Sequence, residues 1–321
     1  MKRLLVSVTG ATGFVGWHTV EALLAQGCDV RAIVRRGNRK PVPEGAAIVE
    51  ADLSTDSLVR AFDGADVAIH IAALIRARDA ATFAAVNVEG TRAAALAAAR
   101  TGARLVLISS QAAGGQGTPD APRVESDSPA PVNAYGRSKL ASEEVVKTTK
   151  GLRWTILRPC AVYGPRDRGF LPLFRLAARG LFLVPSDENT SFTLVHVGDL
   201  SRAIQLAAVS ETAGRETLFI GHAQPQTGVD VLRAIAQAMS RPFTPRHVPV
   251  PLFVALAKTG DLLWRLGVKP MVDSGRLAEL RAKGFVCSVA RARAVLGFEA
   301  ATDLQDGIAQ TARWYRAQGW I

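Results

Sequence analysis

Hydrophobic residues in the first half of the chain follow two alternating periods. Short apolar runs, typical of strands buried on both faces, alternate with longer segments in which apolar residues recur every three or four positions, as on one face of a helix. Buried strands that alternate with helices form βαβ units, so the pattern predicts an α/β fold with a doubly wound parallel sheet. The predicted strands are residues 4–8, 29–34, 47–49, 67–72, 104–109 and 154–157, and the predicted helices are residues 14–26, 86–100 and 135–150.

The second half has shorter and less regular apolar runs. Asp199 precedes a helical pattern and is its predicted N-cap. The apolar stretch 249–266 predicts packed core, with an apolar substrate lid or an amphipathic membrane-facing helix as alternatives. The other predicted elements are strands 192–197 and 218–220, a helix over 200–209 and a surface loop over 114–128.

Composition and charge exclude several classes of protein. Of the 321 residues, 48% are hydrophobic and 21% charged, as in globular proteins and unlike disordered or fibrous chains. Apolar runs fall short of the roughly 18–20 residues that span a bilayer, and the first run reaches Gly10 too soon for a secretory signal. The net charge of +11 comes from scattered basic residues and aromatics make up only 6%, which argues against a nucleic-acid partner.

The cysteines bear on compartment and on metals. Cys28, Cys160 and Cys287 are odd in number and far apart in sequence. This spacing argues against both a disulfide framework and a zinc site. We therefore expect no metal and a reducing, cytoplasmic location.

A glycine-rich segment follows the first predicted strand. Gly10 allows a tight turn, Gly13 lets the backbone approach a pyrophosphate, and Gly16 lets the following helix pack close to the strand. Between a strand and a helix, this spacing is typical of a dinucleotide site whose backbone N–H groups hold the phosphates. The residues predicted to bind the cofactor here are Gly10, Thr12, Gly13, Phe14, Val15 and Gly16.

Residues after the second and third strands bear on which dinucleotide binds. An acidic residue after the second strand would bind a ribose 2′-hydroxyl, but Arg35 and Arg36 stand there. A guanidinium suits a 2′-phosphate, so NADP(H) is favoured, with NAD(H) as the alternative. Asp52 and Leu53 are predicted to contact adenine, although Asp52 equally fits a helix N-cap.

A tyrosine and a lysine lie four positions apart in the helix predicted over 135–150. Tyr135 and Lys139 therefore share one face, and the ammonium lowers the tyrosine pKa by favouring the phenolate. Tyr135 can then exchange a proton with a substrate oxygen. Ser109 and Ser110 end the fifth strand, at the carboxyl edge where such sheets bind ligands, and a serine hydroxyl there can bond a carbonyl.

Taken together, these segments resemble the extended short-chain dehydrogenase/reductase superfamily, which includes the NAD-dependent epimerases and dehydratases. The resemblance runs through nearly the whole chain in the right order, and the joint pattern is far more specific than any one piece. Its segments are residues 9–16, 70–73, 87–91, 109–110, 135–139, 157–159, 163–165, 195–199 and 296–298.

The resemblance implies a domain division and a set of roles. It implies a Rossmann-type dinucleotide-binding domain, residues 1–165 plus 191–222, and a smaller C-terminal substrate-binding lobe, residues 166–190 plus 223–321. It also implies a homodimer built on helices 86–100 and 135–150. The implied roles are catalysis by Ser110, Tyr135, Lys139 and Asn87, and cofactor binding by Tyr135, Lys139, Arg35, Ala72, Ala73 and Pro159.

Departures from the superfamily pattern narrow the chemistry. Gln111 and Ala112 follow Ser110 where sugar-nucleotide dehydratases carry an acidic pair. Residues 113–115 are nearer to the 3β-hydroxysteroid dehydrogenase and dihydroflavonol reductase branch than to the epimerases. We interpret His196 and Cys160 as structural residues.

The sequence as a whole predicts an NAD(P)-dependent oxidoreductase that interconverts a secondary alcohol and a ketone on a small-molecule substrate. An apolar substrate and peripheral contact with a membrane are both compatible with this function. The alternatives are a nucleotide-sugar epimerase with tightly bound NAD, and a non-catalytic dinucleotide-binding assembly or regulatory protein.

Overall fold

The computed structural model describes residues 3–185, 190–210, 213–249 and 284–321, together with 251, 252, 254, 255 and 258–260. Its centre is a seven-stranded parallel sheet, which confirms the predicted fold class. With strands numbered in chain order, they are β1 (Leu5–Thr9), β2 (Asp29–Val34), β3 (Ala47–Glu50), β4 (Val67–His70), β5 (Arg104–Ile108), β6 (Trp154–Pro159) and β11 (Glu216–Ile220).

The strand order places a ligand crevice at the middle of the sheet. The order is β11-β6-β5-β4-β1-β2-β3, so the chain turns in opposite directions on the two sides of β1 and β4. Open α/β sheets bind ligands at the carboxyl ends of the strands where the order reverses. The ends of β1 and β4 are therefore where a ligand site is expected.

Helices cover both faces of this sheet. The helices are α1 (Phe14–Ala25), α2 (Thr55–Phe62), α3 (Ala80–Phe83), α4 (Glu89–Thr101), α5 (Gln111–Gly114), α6 (Ala134–Thr148), α7 (Leu171–Ala178), α8 (Val197–Val209), α9 (Gly228–Ala238), α10 (Ala290–Leu296) and α11 (Leu304–Ala317). One face of the sheet packs on α1, α8 and α10 through residues such as Leu23, Leu200 and Ala292, and the other on α2, α4 and α6 through residues such as Leu58 and Val146.

A separate apolar cluster forms beyond the sheet. It joins α7, α9 and α11 around Phe174, Ile235 and Ile308, and the Tyr315 hydroxyl donates to the Asp167 carbonyl at 2.6 Å. Short strand pairs connect it to the sheet: β7 (Ala161–Tyr163) with β10 (Leu194–His196), β8 (Phe182–Pro185) with β13 (Pro245–Val248), and β9 (Ser191–Phe192) with β12 (Gln226–Thr227).

The predicted domain division stays a prediction, but the packing bears on it. Helix α10, assigned from sequence to the lobe, packs on the face of the sheet that carries α1 and α8. The stretch 249–266 lies largely outside the described residues. Helices long and apolar enough to cross a membrane are absent from the part of the chain that the structure describes.

Two predicted elements of the second half were wrong in detail. Residues 192–197 are not one strand, because β9 ends at Phe192 and β10 begins at Leu194. Helix α8 begins at Val197, so its N-cap is His196 and not Asp199; the His196 Nδ1 accepts from the Gly198 N–H at 3.3 Å. The Asp199 carboxylate instead accepts from the backbone N–H groups of residues 301 and 302, at 3.1 and 2.9 Å.

Two predictions in the first half also need correction. Strand β4 ends at His70, and the helix predicted over 86–100 begins with a π-helical turn, Ala84–Val88, before α4. The predicted surface loop 114–128 is partly inside the fold: Gly117 and Arg123 form β-bridges with Phe285 and Cys287. These bridges join segments more than 160 residues apart, so no local pattern reports them.

Candidate active site

The glycine-rich turn has the form that a pyrophosphate needs. Gly10 has φ 74°, and a Cβ there would lie 2.8 Å from the Ala72 nitrogen; a Cβ on Gly16 would lie 2.1 Å from the Gly10 carbonyl oxygen. Gly13 is the N-cap of α1, and no side chain caps the first turn of this helix. The N–H groups of Phe14 and Val15 therefore start a twelve-residue helix whose positive end favours an anion.

The loop after β4 is fixed beside this turn. The Thr9 hydroxyl accepts from the backbone N–H groups of Ile71 and Ala72, at 3.2 and 3.3 Å, and pairs with His70 Nδ1 at 2.8 Å. His70 is fully buried; burial, and then the nearby Lys139 charge, lower its pKa to about 3. Neutral His70 thus orients the Thr9 hydroxyl that holds Ala72, while cofactor contacts of Ala72 and Ala73 stay a prediction. Neither Thr9 nor His70 had been assigned a role from the sequence.

The residues predicted to select the dinucleotide lie at the ends of β2 and β3. Arg35 is exposed in the turn after β2, and the Glu50 carboxylate accepts from the Gly37 N–H at 3.4 Å. Asp52 is exposed and is not a helix N-cap; that position belongs to Ser54. The Asp52 carboxylate accepts from the Ser54 hydroxyl and N–H, which lowers its pKa. Leu53 is half-buried against α4.

Helix α6 carries the tyrosine and lysine predicted to act as the acid–base pair. Asn133 caps it by accepting from the Gly136 N–H at 2.8 Å, which places Tyr135 in the first turn, half-buried, with Lys139 one turn further and fully buried. The Lys139 ammonium donates to the Ile108 carbonyl at 2.7 Å, at the very end of β5. Burial lowers its pKa to about 8.

Ser110 is two residues after Ile108, whose carbonyl accepts the Lys139 bond. It is the N-cap of α5, and its Oγ accepts from the Ala112 N–H at 3.2 Å. This bond uses an oxygen lone pair and leaves the hydroxyl hydrogen free to be donated. Helix α5 contacts the first turn of α6, since a Cβ on Gly136 would lie 2.4 Å from the Ala112 carbonyl oxygen. The fold therefore brings Ser110, Tyr135 and Lys139 to one corner of the sheet.

Asn87 is close to this corner but its amide is fully engaged. It sits in the π-helical turn, where the Oδ1 accepts from the Leu74 N–H at 2.7 Å and the Nδ2 donates to the Leu74 carbonyl and the Ser138 hydroxyl, both at 2.9 Å. Its backbone carbonyl accepts from the Ser142 hydroxyl at 2.9 Å. These bonds hold the 74–79 loop against α6. A role for Asn87 in the reaction stays a prediction, and this geometry suits positioning better than contact with substrate.

A buried ion pair that was not predicted from the sequence lies beneath these residues. Arg158 donates from Nε and Nη2 to the two carboxylate oxygens of Glu143, at 2.9 and 2.7 Å, and the Ser109 hydroxyl donates to the same carboxylate at 2.5 Å. Glu143 follows Lys139 by four residues, so the spacing 135, 139, 143 on one helix face was a usable signal. Pro159, predicted to border the cofactor, follows Arg158 at the end of β6.

Two residues interpreted as structural are buried in the fold. The His196 ring caps α8 and packs edge-on against Tyr163, with ring centroids 5.5 Å apart. The Cys160 Sγ lies 3.1 Å from the Cys287 Sγ, and burial raises the pKa of the Cys160 thiol. Groups of His, Cys, Asp and Glu able to hold a metal are not found among the described residues.

Comparison with known proteins agrees with this geometry. Residues 6–221 match the NAD dependent epimerase/dehydratase family, and the chain belongs to that family. It is 33% identical to the ceramide reductase of Caulobacter vibrioides, over 99% of this chain and 96% of that protein. It is 30% identical to the 4-hydroxy-2-methyl-3-oxo-4-farnesyl-3,4-dihydroquinoline-1-oxide ketoreductase of Stigmatella aurantiaca, over 85% and 84% of the two chains.

A solved structure extends the comparison to the cofactor. The UDP-glucose 4-epimerase of Thermus thermophilus, in complex with NAD, superposes with a TM-score of 0.77 and 26% identity, covering 98% of this chain and 99% of that one. The resemblance to the extended short-chain dehydrogenase/reductase superfamily is thereby confirmed. The chain is an NAD(P)-dependent dehydrogenase, reductase or epimerase of this type, and its cofactor is a nicotinamide dinucleotide.

Proposed function

We propose that this enzyme is a reductase that interconverts a ketone and a secondary alcohol, with Ser110, Tyr135 and Lys139 as its catalytic residues. One observation carries the proposal. The Lys139 ammonium is bonded to the Ile108 carbonyl, which puts it at the strand end that Ser110 also occupies. The same helix presents Tyr135 one turn earlier. This arrangement at the carboxyl edge of the sheet supports a site in which Tyr135 donates the proton, Lys139 tunes it and Ser110 supplies a hydroxyl hydrogen.

The residues at the crevice fit a nicotinamide dinucleotide. Gly10 and Gly16 allow the turn to pack closely, Gly13 places no Cβ at the start of α1, and the first turn of α1, which has no side-chain cap, offers N–H groups to the phosphates. When bound, the dinucleotide supplies or accepts the hydride. Lys139 would hold its ribose, and Pro159, Ala72 and Ala73 would border it.

Proton transfer and orientation fall to this chain's own residues. Ser110 donates its free hydroxyl hydrogen to the substrate oxygen, which orients and polarises the carbonyl. Tyr135 gives a proton to that oxygen in the reducing direction and takes it back in the other. An ammonium close to a tyrosine favours the phenolate over the phenol, and Lys139 has this role in the proposed mechanism.

We propose NADP(H) as the preferred dinucleotide. The turn after β2 carries the exposed guanidinium of Arg35 and no carboxylate at the position that would bind a ribose 2′-hydroxyl. Glu50 is directed at the backbone of Gly37 and leaves the Arg35 guanidinium accessible. A planar guanidinium bonds a phosphate in bidentate fashion, which an adenosine 2′-phosphate would satisfy.

We further propose that the substrate is an apolar ketone. Two relatives are named for a ceramide and for a farnesylated quinoline oxide, both of them hydrophobic molecules. In this chain Ser110 is followed by Gln111 and by Ala112 and Ala113, without an acidic pair that would assist dehydration.

The deciding experiment follows a labelled hydride. The protein is incubated with NADPH deuterated at the transferable C4 position and with long-chain and steroidal ketones, and the products are examined by mass spectrometry. A reductase puts one deuterium on the new carbinol carbon and consumes one NADPH for each alcohol formed. Absence of deuterated alcohol from every ketone in the panel would count against the proposed reaction.

The alternative is an epimerase with tightly bound NAD, which the similarity to UDP-glucose 4-epimerase favours. Its dinucleotide would remain bound through purification, and UDP-glucose would be epimerised without net consumption of cofactor. A non-catalytic dinucleotide-binding protein would instead bind NADPH and turn over neither class of substrate.

We also propose a cytoplasmic homodimer built on α4 and α6. These helices flank an open cleft of about 560 Å³ lined by Leu96, Val145, Arg100 and Thr149, and Leu96 is 38% exposed. Closed two-fold dimers are the commonest oligomers. Light scattering should give twice the mass of one chain for the wild-type protein and the mass of one chain for Leu96→Asp. A monomeric wild-type protein would disprove the dimer.

A further inference from the structure

We propose that Glu143, clamped by Arg158, is a positioning residue that keeps Lys139 charged and holds the Ser109–Ser110 strand end in place. The inference rests on the proposed function, because it concerns the residues assigned there to proton transfer. Neither Glu143 nor Arg158 has a place in that mechanism. Glu143 is 0% exposed and Arg158 is 2% exposed. Charged side chains are almost never buried so completely unless they are paired.

The hydrogen bonds around Glu143 fix its carboxylate from two other elements. Arg158 on β6 binds it through two parallel N–H bonds, and Ser109 after β5 donates its hydroxyl at 2.5 Å. The Arg158 guanidinium also lies 5.3 Å from the ring centre of Phe219 on β11. The carboxylate therefore has little freedom, and the guanidinium that binds it is a permanent positive charge.

Helix α6 is tied to the end of β5 at two adjacent residues. Lys139 donates to the carbonyl of Ile108, and Glu143, one helical turn on, accepts from the hydroxyl of Ser109. The next residue is Ser110. A change at Glu143 thus acts on the peptide that sets the direction of the Ser110 hydroxyl.

The charge of Glu143 also opposes the effect of burial on Lys139. Desolvation, opposed by the Glu143 carboxylate, lowers the pKa of this ammonium to about 8. The other titratable or charged groups are His70 on β4, which is neutral because its pKa is about 3, and Tyr135, one turn earlier on α6. Arg158 on β6 and Lys147 on α6 both contact the Glu143 carboxylate, at 2.7 and 3.9 Å. Among the described residues, Glu143 is the anion that raises the Lys139 pKa.

A purely stabilising role explains this pair less well. Replacing a buried ion pair by uncharged residues often leaves the free energy of unfolding unchanged. The presence of such a pair is therefore weak evidence that it stabilises the fold. Glu143 lies one helical turn from Lys139 and accepts a hydrogen bond from Ser109, the residue before Ser110. This placement is what the positioning role requires.

The test measures the Lys139 pKa directly, in the full chain, by NMR of protein labelled with [ε-13C]lysine. The Lys139 signal is assigned by its loss in Lys139→Met. We expect Glu143→Gln to lower this pKa by about one unit or more, the usual effect of losing an opposite charge at close range. The matched control is Glu144→Gln, which removes the neighbouring, 57% exposed carboxylate. Lys147 contacts both carboxylates and keeps Glu143 as a partner in this variant, so the Lys139 pKa should stay unchanged.

A second variant covers the case in which Glu143→Gln does not fold with Arg158 left unpaired. In Glu143→Gln with Arg158→Gln both charges of the ion pair are removed; because the Glu143 carboxylate is the charge that raises the Lys139 pKa, this pKa should again fall, by less than in Glu143→Gln alone. In any folded variant, the alkaline limb of the pH–rate profile should move to lower pH, because Lys139 then loses its proton earlier. An unchanged Lys139 pKa in a folded variant overturns the inference. Because the NMR titration needs no turnover, failure of the proposed reaction is recognised separately, by the hydride experiment.

Discussion

Replacing Gly16 by alanine should disrupt the dinucleotide site through backbone contact alone. The new Cβ would lie 2.1 Å from the Gly10 carbonyl oxygen and 2.7 Å from its carbon. Carbon and oxygen pack at about 3.5 Å, so α1 must withdraw from the turn by more than about 1 Å. Backbone atoms cannot rotate away as a side chain can, and the strain falls on the phosphate-binding end of the helix.

The size of the effect follows from the same contact. Overpacking of this kind costs about 1–3 kcal/mol. An unfolding entropy of about 2.1 cal/mol/K per residue gives about 0.7 kcal/mol/K for the 321 residues, so the Tm should fall by about 2–4 °C. A hydrogen bond to a charged group contributes about 1.5–3 kcal/mol, so loss of one N–H contact to a phosphate raises the Kd for NADPH about tenfold or more.

The assay is calorimetric titration with NADPH, with thermal unfolding in parallel. Gly228→Ala is the matched control, because Gly228 begins α9 with no atom within 4 Å of the added Cβ and no left-handed φ. That variant should keep the wild-type Kd and be equally or slightly more stable. If Gly16→Ala bound NADPH with the wild-type Kd, the glycine turn would not be the phosphate site.

Three further predictions concern charge. Arg35→Asp should weaken NADPH binding about tenfold or more and improve NADH binding. The control Arg313→Asp, on the exposed face of α11, should change neither affinity. If the two variants had equal effects on the Kd values for NADPH and NADH, Arg35 would not belong to the site. Lys139→Met should both raise the Kd for NADPH and slow turnover, while Tyr135→Phe slows turnover alone. Between pH 6.5 and about 3 the unfolded chain binds a proton that buried His70 does not, so stability should decrease as the pH falls, by up to about 1.4 kcal/mol per pH unit. His70→Gln should flatten that slope in denaturant titrations, and an equal slope in both proteins would show that His70 is not its source.

The sequence predicted the sheet well because its central strands, β4, β5 and β6, are buried on both faces. Such strands are continuous apolar runs, and the helices between them keep a clear period, so local pattern and tertiary structure agree. Gly16 was readable for the same reason, since the contact that requires a glycine there is with Gly10 in the same βα unit, whereas the close approach of Ala72 to Gly10 comes from the loop after β4.

The errors arose where a distant segment decides the local structure. Asp199 looked like a helix cap, but its carboxylate is taken by backbone N–H groups at residues 301 and 302, and His196 caps α8 instead. The loop containing Gly117 pairs with residues near 285, which no window of sequence connects to it.

In the candidate site, too, some residues could be recognised from local sequence and others only from contacts between distant segments. Tyr135 and Lys139 are readable from one helix, but the role of Glu143 becomes visible only when β6 brings Arg158 and β5 brings Ser109 to its carboxylate. The contact between Cys160 and Cys287 was likewise hidden, since each thiol is isolated in the sequence.

The most direct test of the proposed reaction is a comparison of Tyr135→Phe with the wild-type enzyme. Consumption of NADPH is followed with an apolar ketone that the wild-type enzyme reduces, and NADPH binding is titrated in both proteins. We expect an unchanged Kd for NADPH and a turnover number lower by about 10²–10⁴-fold, because the ring is kept while the transferable proton is lost. Wild-type turnover in Tyr135→Phe would contradict it.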